Sequence, residues 1–184
     1  MASVLVPLAP GCEELEAVTI VDLLRRAGIE VTTAGLAEGP VTAARGVVLV
    51  PDMTLAEALR QEFDMVVLPG GMPGADHLDN DPRVRELLRK MADSGKFTAA
   101  ICAAPKVLGN AGLLEGKRAT SFPGFVDKMD LPGVSYLEET VVHDGTVITS
   151  RGPGTAMDFA LHLIETLTDK ATRDEVESKL ERPR

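Results

Sequence analysis

The residue around which chemistry can be built in this chain is a cysteine at the end of a small, apolar run. Cys102 follows Phe97-Thr98-Ala99-Ala100-Ile101 and precedes Ala103-Ala104-Pro105. That run, bounded by Gly95-Lys96 and Pro105, predicts a short strand buried on both faces, and Pro105 suits the first turn of a helix. Cys102 then falls on a strand-to-helix turn, where a nucleophile elbow lifts one side chain above a sheet. A buried structural cysteine is the competing reading, because free cysteine is among the most buried residue types.

Three carboxylates, Glu13, Glu14 and Glu16, open the first helical segment. Helix N-termini favour carboxylates by about 0.3–1 kcal/mol each, which alone would account for them. Glu13 and Glu16 are three apart and share a helix face, so either could point into the crevice of Cys102. Burial and a thiolate neighbour would keep such a carboxyl protonated. It would then donate a hydrogen bond to the sulfur and act as general acid and base. Gly70-Gly71 follows the apolar run Met65-Val66-Val67-Leu68. Glycines there let backbone N–H groups approach a substrate oxygen and, with the N–H of Ala103, line an oxyanion hole; an ordinary turn is the alternative. No phosphate-cradling or dinucleotide pattern is present, so no cofactor is expected. His77, placed on the loop after the glycines, His143 and His162 lack the spacing of a metal site.

These residues need a scaffold, and the remaining pattern supplies one. Ser3 to Leu8 reads as a buried strand. Cys12 to Ala27 reads as a helix with Leu15, Val18, Ile20, Val21, Leu23 and Leu24 on its apolar face, stopped by Gly28. Glu30 to Ala34 is a second strand, giving a βαβ start. Pro40 to Thr42 and Gly46 to Val50 form a hairpin or edge strands, and Leu55 to Arg60 a short helix. Asp81-Pro82 caps a helix reaching Gly95, and Lys106 to Leu114 follows the elbow strand. Ser135 to Val142 and Thr146 to Thr149 flank the hairpin signal Asp144-Gly145. A helix bearing Met157, Leu161, Ile164 and Leu167 and a surface helix from Thr172 to Leu180 complete the chain. The expected fold class is α/β, a three-layer sandwich on a mostly parallel sheet. Ligands of such sheets bind beyond the carboxyl ends of the strands, where Pro10 to Glu16, Pro69 to Gly74 and Cys102-Ala103 converge.

Composition narrows the function. The 184 residues fit one domain, 1–184, and 45% hydrophobic with 26% charged residues is ordinary for a globular protein. A net charge of −9 disfavours nucleic-acid and anionic-membrane partners. Two cysteines make no disulfide framework, and neither a secretory signal nor a membrane span is evident, so a cytoplasmic location is expected.

Leu68-Pro69-Gly70-Gly71, Ala99 to Pro105, Gly11 to Glu16 and Ser150-Arg151-Gly152-Pro153-Gly154-Thr155 together resemble the ThiJ/PfpI superfamily. Within it the similarity is to the branch of the Parkinson-associated protein and its bacterial YajL-like relatives, in the same order from about Val4 to Leu167. The resemblance implies a flavodoxin-like sandwich and a homodimer. It also implies Cys102 as a reactive, oxidisable cysteine, Glu16 as its protonated partner, and Gly70, Gly71 and Ala103 as oxyanion-hole donors. Glu13 and Arg45 would sit at the substrate, Arg45 at the dimer interface. Ala103 stands where the protease-like branch has a histidine, so peptidase activity is not expected. Phe122 replaces the histidine of the animal proteins, as in YajL-like sequences, so no histidine-dependent mechanism carries over. Ala43 and Val50 stand where animal members have further cysteines, while Cys12 is additional and would be a resolving thiol if it reached Cys102. The implied activity is cofactor-free conversion of methylglyoxal or glyoxal to lactate or glycolate, or removal of their early adducts from thiols and amines. An oxidative-stress sensor or chaperone acting through Cys102 oxidation is the alternative.

Overall fold

Apolar runs without alternation need cover on both faces, and in the computed structural model, which describes residues 1–183, they become the centre of one sheet. The strands are β1 (Ser3–Leu8), β2 (Glu30–Gly35), β3 (Val41–Thr42), β4 (Val48–Leu49), β5 (Met53–Thr54), β6 (Met65–Leu68), β7 (Phe97–Ile101), β8 (Arg118–Ala119), β9 (Ser135–Tyr136), β10 (Val141–Asp144) and β11 (Val147–Ser150). The helices are α1 (Glu14–Arg26), α2 (Leu55–Ala58), α3 (Gly74–Asn80), α4 (Pro82–Asp93), α5 (Pro105–Asn110), α6 (Ala156–Leu167) and α7 (Lys170–Ser178).

The main sheet has seven strands in the order β10-β11-β7-β6-β1-β2-β5. All its neighbours are parallel except β10 and β11. Alternate residues of each central strand feed opposite cores. Val4, Val6, Met65, Val67, Ala99 and Ile101 pack under α1 and α6, while Leu5, Val66, Leu68 and Ala100 pack under α2 to α5. This is the expected three-layer, flavodoxin-like sandwich. The chain leaves β1 for β2 on one side and returns to β6 and β7 on the other. Strand order therefore reverses about β1, which opens the ligand crevice of such sheets above β1 and β6.

Several local expectations are corrected. The hairpin alternative holds for β3 and β4, which pair antiparallel apart from the main sheet. Helix α1 starts at Glu14 rather than Cys12, and Leu15 and Val18, expected in its core face, are 51% and 49% exposed. Its buried face is Glu16, Ala17, Ile20, Leu23 and Leu24. His77 lies on α3, a helix the glycine- and proline-rich sequence did not advertise. Helix α5 ends at Asn110, short of Leu114. Ser135–Tyr136 leaves the main sheet to pair with β8, and the β10–β11 turn is Gly145-Thr146, one residue later than expected. On α6, Leu161 and Ile164 are buried but Met157 is 42% exposed.

Candidate active site

Cys102 sits directly after β7 with φ +65, a left-handed conformation that costs a non-glycine residue about 1–3 kcal/mol. Two backbone bonds hold it there. The Cys102 N–H donates to Ser150 O at 3.0 Å, and the Phe122 N–H donates to Cys102 O at 2.9 Å. Ser150 is itself fixed, since its hydroxyl donates to Thr140 O at 2.7 Å. Thr155 Oγ1 accepts the N–H groups of Arg151 and Gly152 at 3.2 and 3.1 Å. The Ser150–Thr155 motif thus acts as a brace for the elbow.

The glycines allow three segments to meet at this point. A Cβ on Gly70 would lie 2.6 Å from Cys102 Cβ and 2.9 Å from Glu16 Oε2. A Cβ on Gly71 would lie 2.3 Å from the Glu13 nitrogen, and one on Gly74 2.6 Å from the Cys12 nitrogen. The Glu13 N–H donates to Gly70 O at 2.9 Å, which ties the start of α1 to this loop.

The choice between Glu13 and Glu16 is resolved by burial. Glu13 is the half-buried N-cap of α1, whereas Glu16 is 0% exposed beside Cys102. Glu16 Oε2 accepts the Gly70 N–H at 2.8 Å. The Gly70 donor expected for an oxyanion is therefore committed to Glu16, and the N–H groups that face the sulfur are those of Gly71 and Ala103. Glu16 Oε1 is buried and takes no N–H or O–H among the described residues; the remaining side-chain partner of this carboxyl is the Cys102 thiol.

Both groups resist charge. Burial pushes the Glu16 carboxyl up to about 7, against the Gly70 N–H and the thiol, which pull it down. Burial, followed by the Glu16 charge, pushes the Cys102 thiol up to about 12. Two ionisable groups so placed titrate as a unit. The pair gives up one proton near neutrality, from Glu16, and holds the second on the sulfur.

Other expected residues lie elsewhere. Arg45 is exposed; its contribution here is a backbone N–H donated to Glu14 Oε1 at 2.8 Å. The sequence offered Glu14 only as a helix-end charge, yet it is buried and binds the β3–β4 connection. Burial works against its charge, but the N–H groups of Glu14, Arg45 and Val47 and the Arg45 cation hold its pKa below the usual value. Cys12 is 0% exposed and burial pushes it up to about 11, so it is not an accessible thiol. His77 is exposed on α3. His143 Nδ1 and His162 Nε2 bond at 2.9 Å between β10 and α6, at the far edge of the sheet. Among the described residues there is no cluster of three metal-ligating side chains, and no helix is long and apolar enough to cross a membrane.

The DJ-1/PfpI family profile matches residues 2–166. Protein dj-1beta of Drosophila melanogaster is 47% identical over 95% of this chain and 94% of its own length. The crystal structure of Drosophila melanogaster DJ-1beta superposes with a TM-score of 0.94 at 44% identity, covering 100% of this chain and 99% of that one. A Caenorhabditis elegans relative named glutathione-independent glyoxalase DJR-1.2 is 42% identical over 90% of this chain and 88% of its own. Protein DJ-1 homolog A of Arabidopsis thaliana is 43% identical over 97% of this chain, which spans only 46% of that longer protein.

Proposed function

The chain belongs to the DJ-1/PfpI family, and from that premise we propose that it is a cysteine-dependent, cofactor-free glyoxalase or deglycase. Its substrates are small 2-oxoaldehydes, methylglyoxal and glyoxal, or their early adducts on thiols and amines. The domain occupies 1–184 and works in the cytoplasm. The observation that carries the reading is the buried Glu16 carboxyl, fixed by the Gly70 N–H at 2.8 Å and set against the Cys102 thiol, whose sulfur faces the N–H groups of Gly71 and Ala103. The glyoxalase named among the relatives supports it.

Proton transfer within the pair exposes the thiolate, which forms a bond to the aldehyde carbon. The aldehyde oxygen becomes an alkoxide and is met by the N–H groups of Gly71 and Ala103. Glu16 passes the proton it took from the thiol to the oxygen on the neighbouring carbon, then removes the proton from the aldehyde carbon and delivers it to that neighbouring carbon. The result is a 2-hydroxy thioester, which water cleaves to lactate or glycolate while the sulfur regains its proton. Glu13, at the mouth, contacts the substrate. Electrons balance within the substrate, one carbon being oxidised as its neighbour is reduced, so no redox cofactor is required.

A homodimer fits the surface. Leu15, Val18, Val47, Val48 and Val50 are 48–80% exposed on α1 and around the β3–β4 hairpin, and Val18, Leu49 and Val50 line one shared cavity between these elements. A dimer covering it would bring the hairpin, and Arg45 with it, against a second copy. Val48→Asp is expected to convert a dimer to a monomer in sedimentation equilibrium; a wild-type monomer at micromolar concentration removes this proposal.

The main test is the pH dependence of Cys102 alkylation, run beside methylglyoxal turnover in a Cys12→Ser background. Both are expected to rise with an inflection near pH 7, as Glu16 ionises and can take the proton of the thiol, below the roughly 8.5 of a free thiol. Glu16→Gln removes that base, so the inflection near pH 7 should disappear and turnover should fall about a hundredfold. A wild-type thiol that reacts only above pH 8.5 overturns the reading. A reactive thiol without turnover transfers the site to redox sensing. In that case peroxide oxidation of Cys102 to a sulfinate is stabilised by protonated Glu16.

A further inference from the structure

An aromatic lip stands beside the nucleophile and has no part in the chemistry above. Phe122 is 46% exposed, although the chain has only five phenylalanines. A single exposed apolar side chain needs no explanation; this one differs in how firmly it is held. Its N–H donates to the Cys102 carbonyl at 2.9 Å, and its own carbonyl accepts the Ser121 hydroxyl at 2.9 Å. Ser121 is 0% exposed, its hydroxyl accepts the Val126 N–H at 3.1 Å, and its carbonyl accepts the Tyr136 hydroxyl at 3.2 Å.

The ring itself is also braced. It meets Phe125 edge to face, with centroids 6.5 Å apart, and its edge lies over Gly152, where a Cβ would come within 3.2 Å of Phe122 Cδ2. Behind Phe125 stands Lys106 Nζ, 6.0 Å from the ring centroid and paired with Asp76, so its charge is already met. Met72, next to Gly71 whose N–H faces the Cys102 sulfur, is 44% exposed. A ring already fixed loses little freedom when a ligand covers it.

We propose that Phe122 is the specificity-determining residue of this site, seating the carbon substituent of the 2-oxoaldehyde. The preferred substrates are then 2-oxoaldehydes with an aryl or branched alkyl substituent, ahead of methylglyoxal and glyoxal. The proposal rests on the glyoxalase reading of the Cys102 site. With the thiolate bonded to the aldehyde carbon and its oxygen held by Gly71 and Ala103, a substituent on the second carbon projects away from those donors. The lip offers it aromatic surface, while the neighbouring Arg151 guanidinium is held by Ser121 O and the Tyr136 hydroxyl, each at 3.4 Å. A flat aryl group gains both buried area and aromatic contact there.

The test is the ratio of kcat/KM along a series of methylglyoxal, isopropylglyoxal and phenylglyoxal, from initial rates. The ratio within one preparation is independent of how much of it is folded. Wild type is expected to favour phenylglyoxal over methylglyoxal by roughly tenfold, Phe122→Tyr to keep that preference, and Phe122→Ala to reduce it to about one. A flat series in wild type, or a preference that survives Phe122→Ala, overturns the proposal while leaving methylglyoxal turnover and the glyoxalase reading intact. If no 2-oxoaldehyde is turned over, the glyoxalase reading falls, and the substrate preference built on it falls too. The lip is then read from Cys102 alkylation by N-benzyliodoacetamide relative to iodoacetamide. A benzyl preference that Phe122→Ala removes retains Phe122 as an aryl seat; an unchanged ratio rejects it.

Discussion

Cys102→Ala is expected to lower 2-oxoaldehyde turnover at least about a thousandfold, because the nucleophile has no substitute in the chain. The second thiol, Cys12, is 0% exposed whereas Cys102 is only partly buried, so Cys12 lacks the access to take over. The fold should tolerate the change. Alanine keeps the Cβ that the φ of +65 already strains, and both backbone bonds to Ser150 and Phe122 remain. It also removes a thiol that burial and Glu16 both disfavour charging. Initial rates with methylglyoxal, paired with a thermal melt within a few degrees of wild type, check this expectation. Residual turnover above a tenth of wild type in such a folded variant would assign the chemistry to another group.

Gly71→Ala should be the most disruptive small substitution. Gly71 has φ +88, and its added Cβ would lie 2.3 Å from the Glu13 nitrogen, 2.7 Å from the Cys12 carbonyl carbon and 2.7 Å from Gly11 O. All three are backbone atoms, so no side chain can swing away to make room. The left-handed backbone alone costs alanine roughly 1–2 kcal/mol, and forcing apart packed segments adds about 1–3 kcal/mol more. A loss of about 3 kcal/mol or more is expected in denaturant titration. Gly112→Ala is the control. Gly112 has φ +85 but nothing within 4 Å of its Cβ position, so only the backbone cost applies. Equal losses at the two positions would mean that the approach of the Gly71 loop to residues 11–13 contributes no constraint.

The elements that lie in the middle of the sheet were legible because burial on both faces leaves an uninterrupted apolar signature. Both β6 and β7 have the bounds read from sequence, and α4 begins at the cap read from Asp81-Pro82. The meeting of the Pro10–Glu16, Pro69–Gly74 and Cys102-Ala103 segments was legible from topology, since each follows a parallel strand. Other features depend on three-dimensional context. Leu15 and Val18 have the spacing of core residues, and periodicity does not distinguish a face that packs inward from one that stays open. Helix α3 is seven residues long and begins at Gly74; propensity is weak at that length. Glu16 faces the sulfur, rather than Glu13, because α1 starts at Glu14 and leaves Glu13 as its cap, a boundary shift within the ordinary uncertainty of helix ends. The commitment of the Gly70 N–H to Glu16 is a matter of orientation that residue types do not encode.

The bond from the Cys102 N–H to Ser150 O also has a temporal consequence. Synthesis proceeds from the N-terminus, and domains complete their packing once their last elements emerge. When residue 102 leaves the ribosome, Glu16, Gly70 and Gly71 have already been made, but Phe122 lies 20 residues downstream and Ser150 lies 48 downstream. Until β11 arrives, nothing supplies the acceptor that holds the strained elbow, and the thiol belongs to an unfinished chain. The Cys102 elbow is thus completed late, by a strand that supplies it with a backbone acceptor. A truncated or stalled product ending before Ser150 carries the cysteine without the brace that aims it.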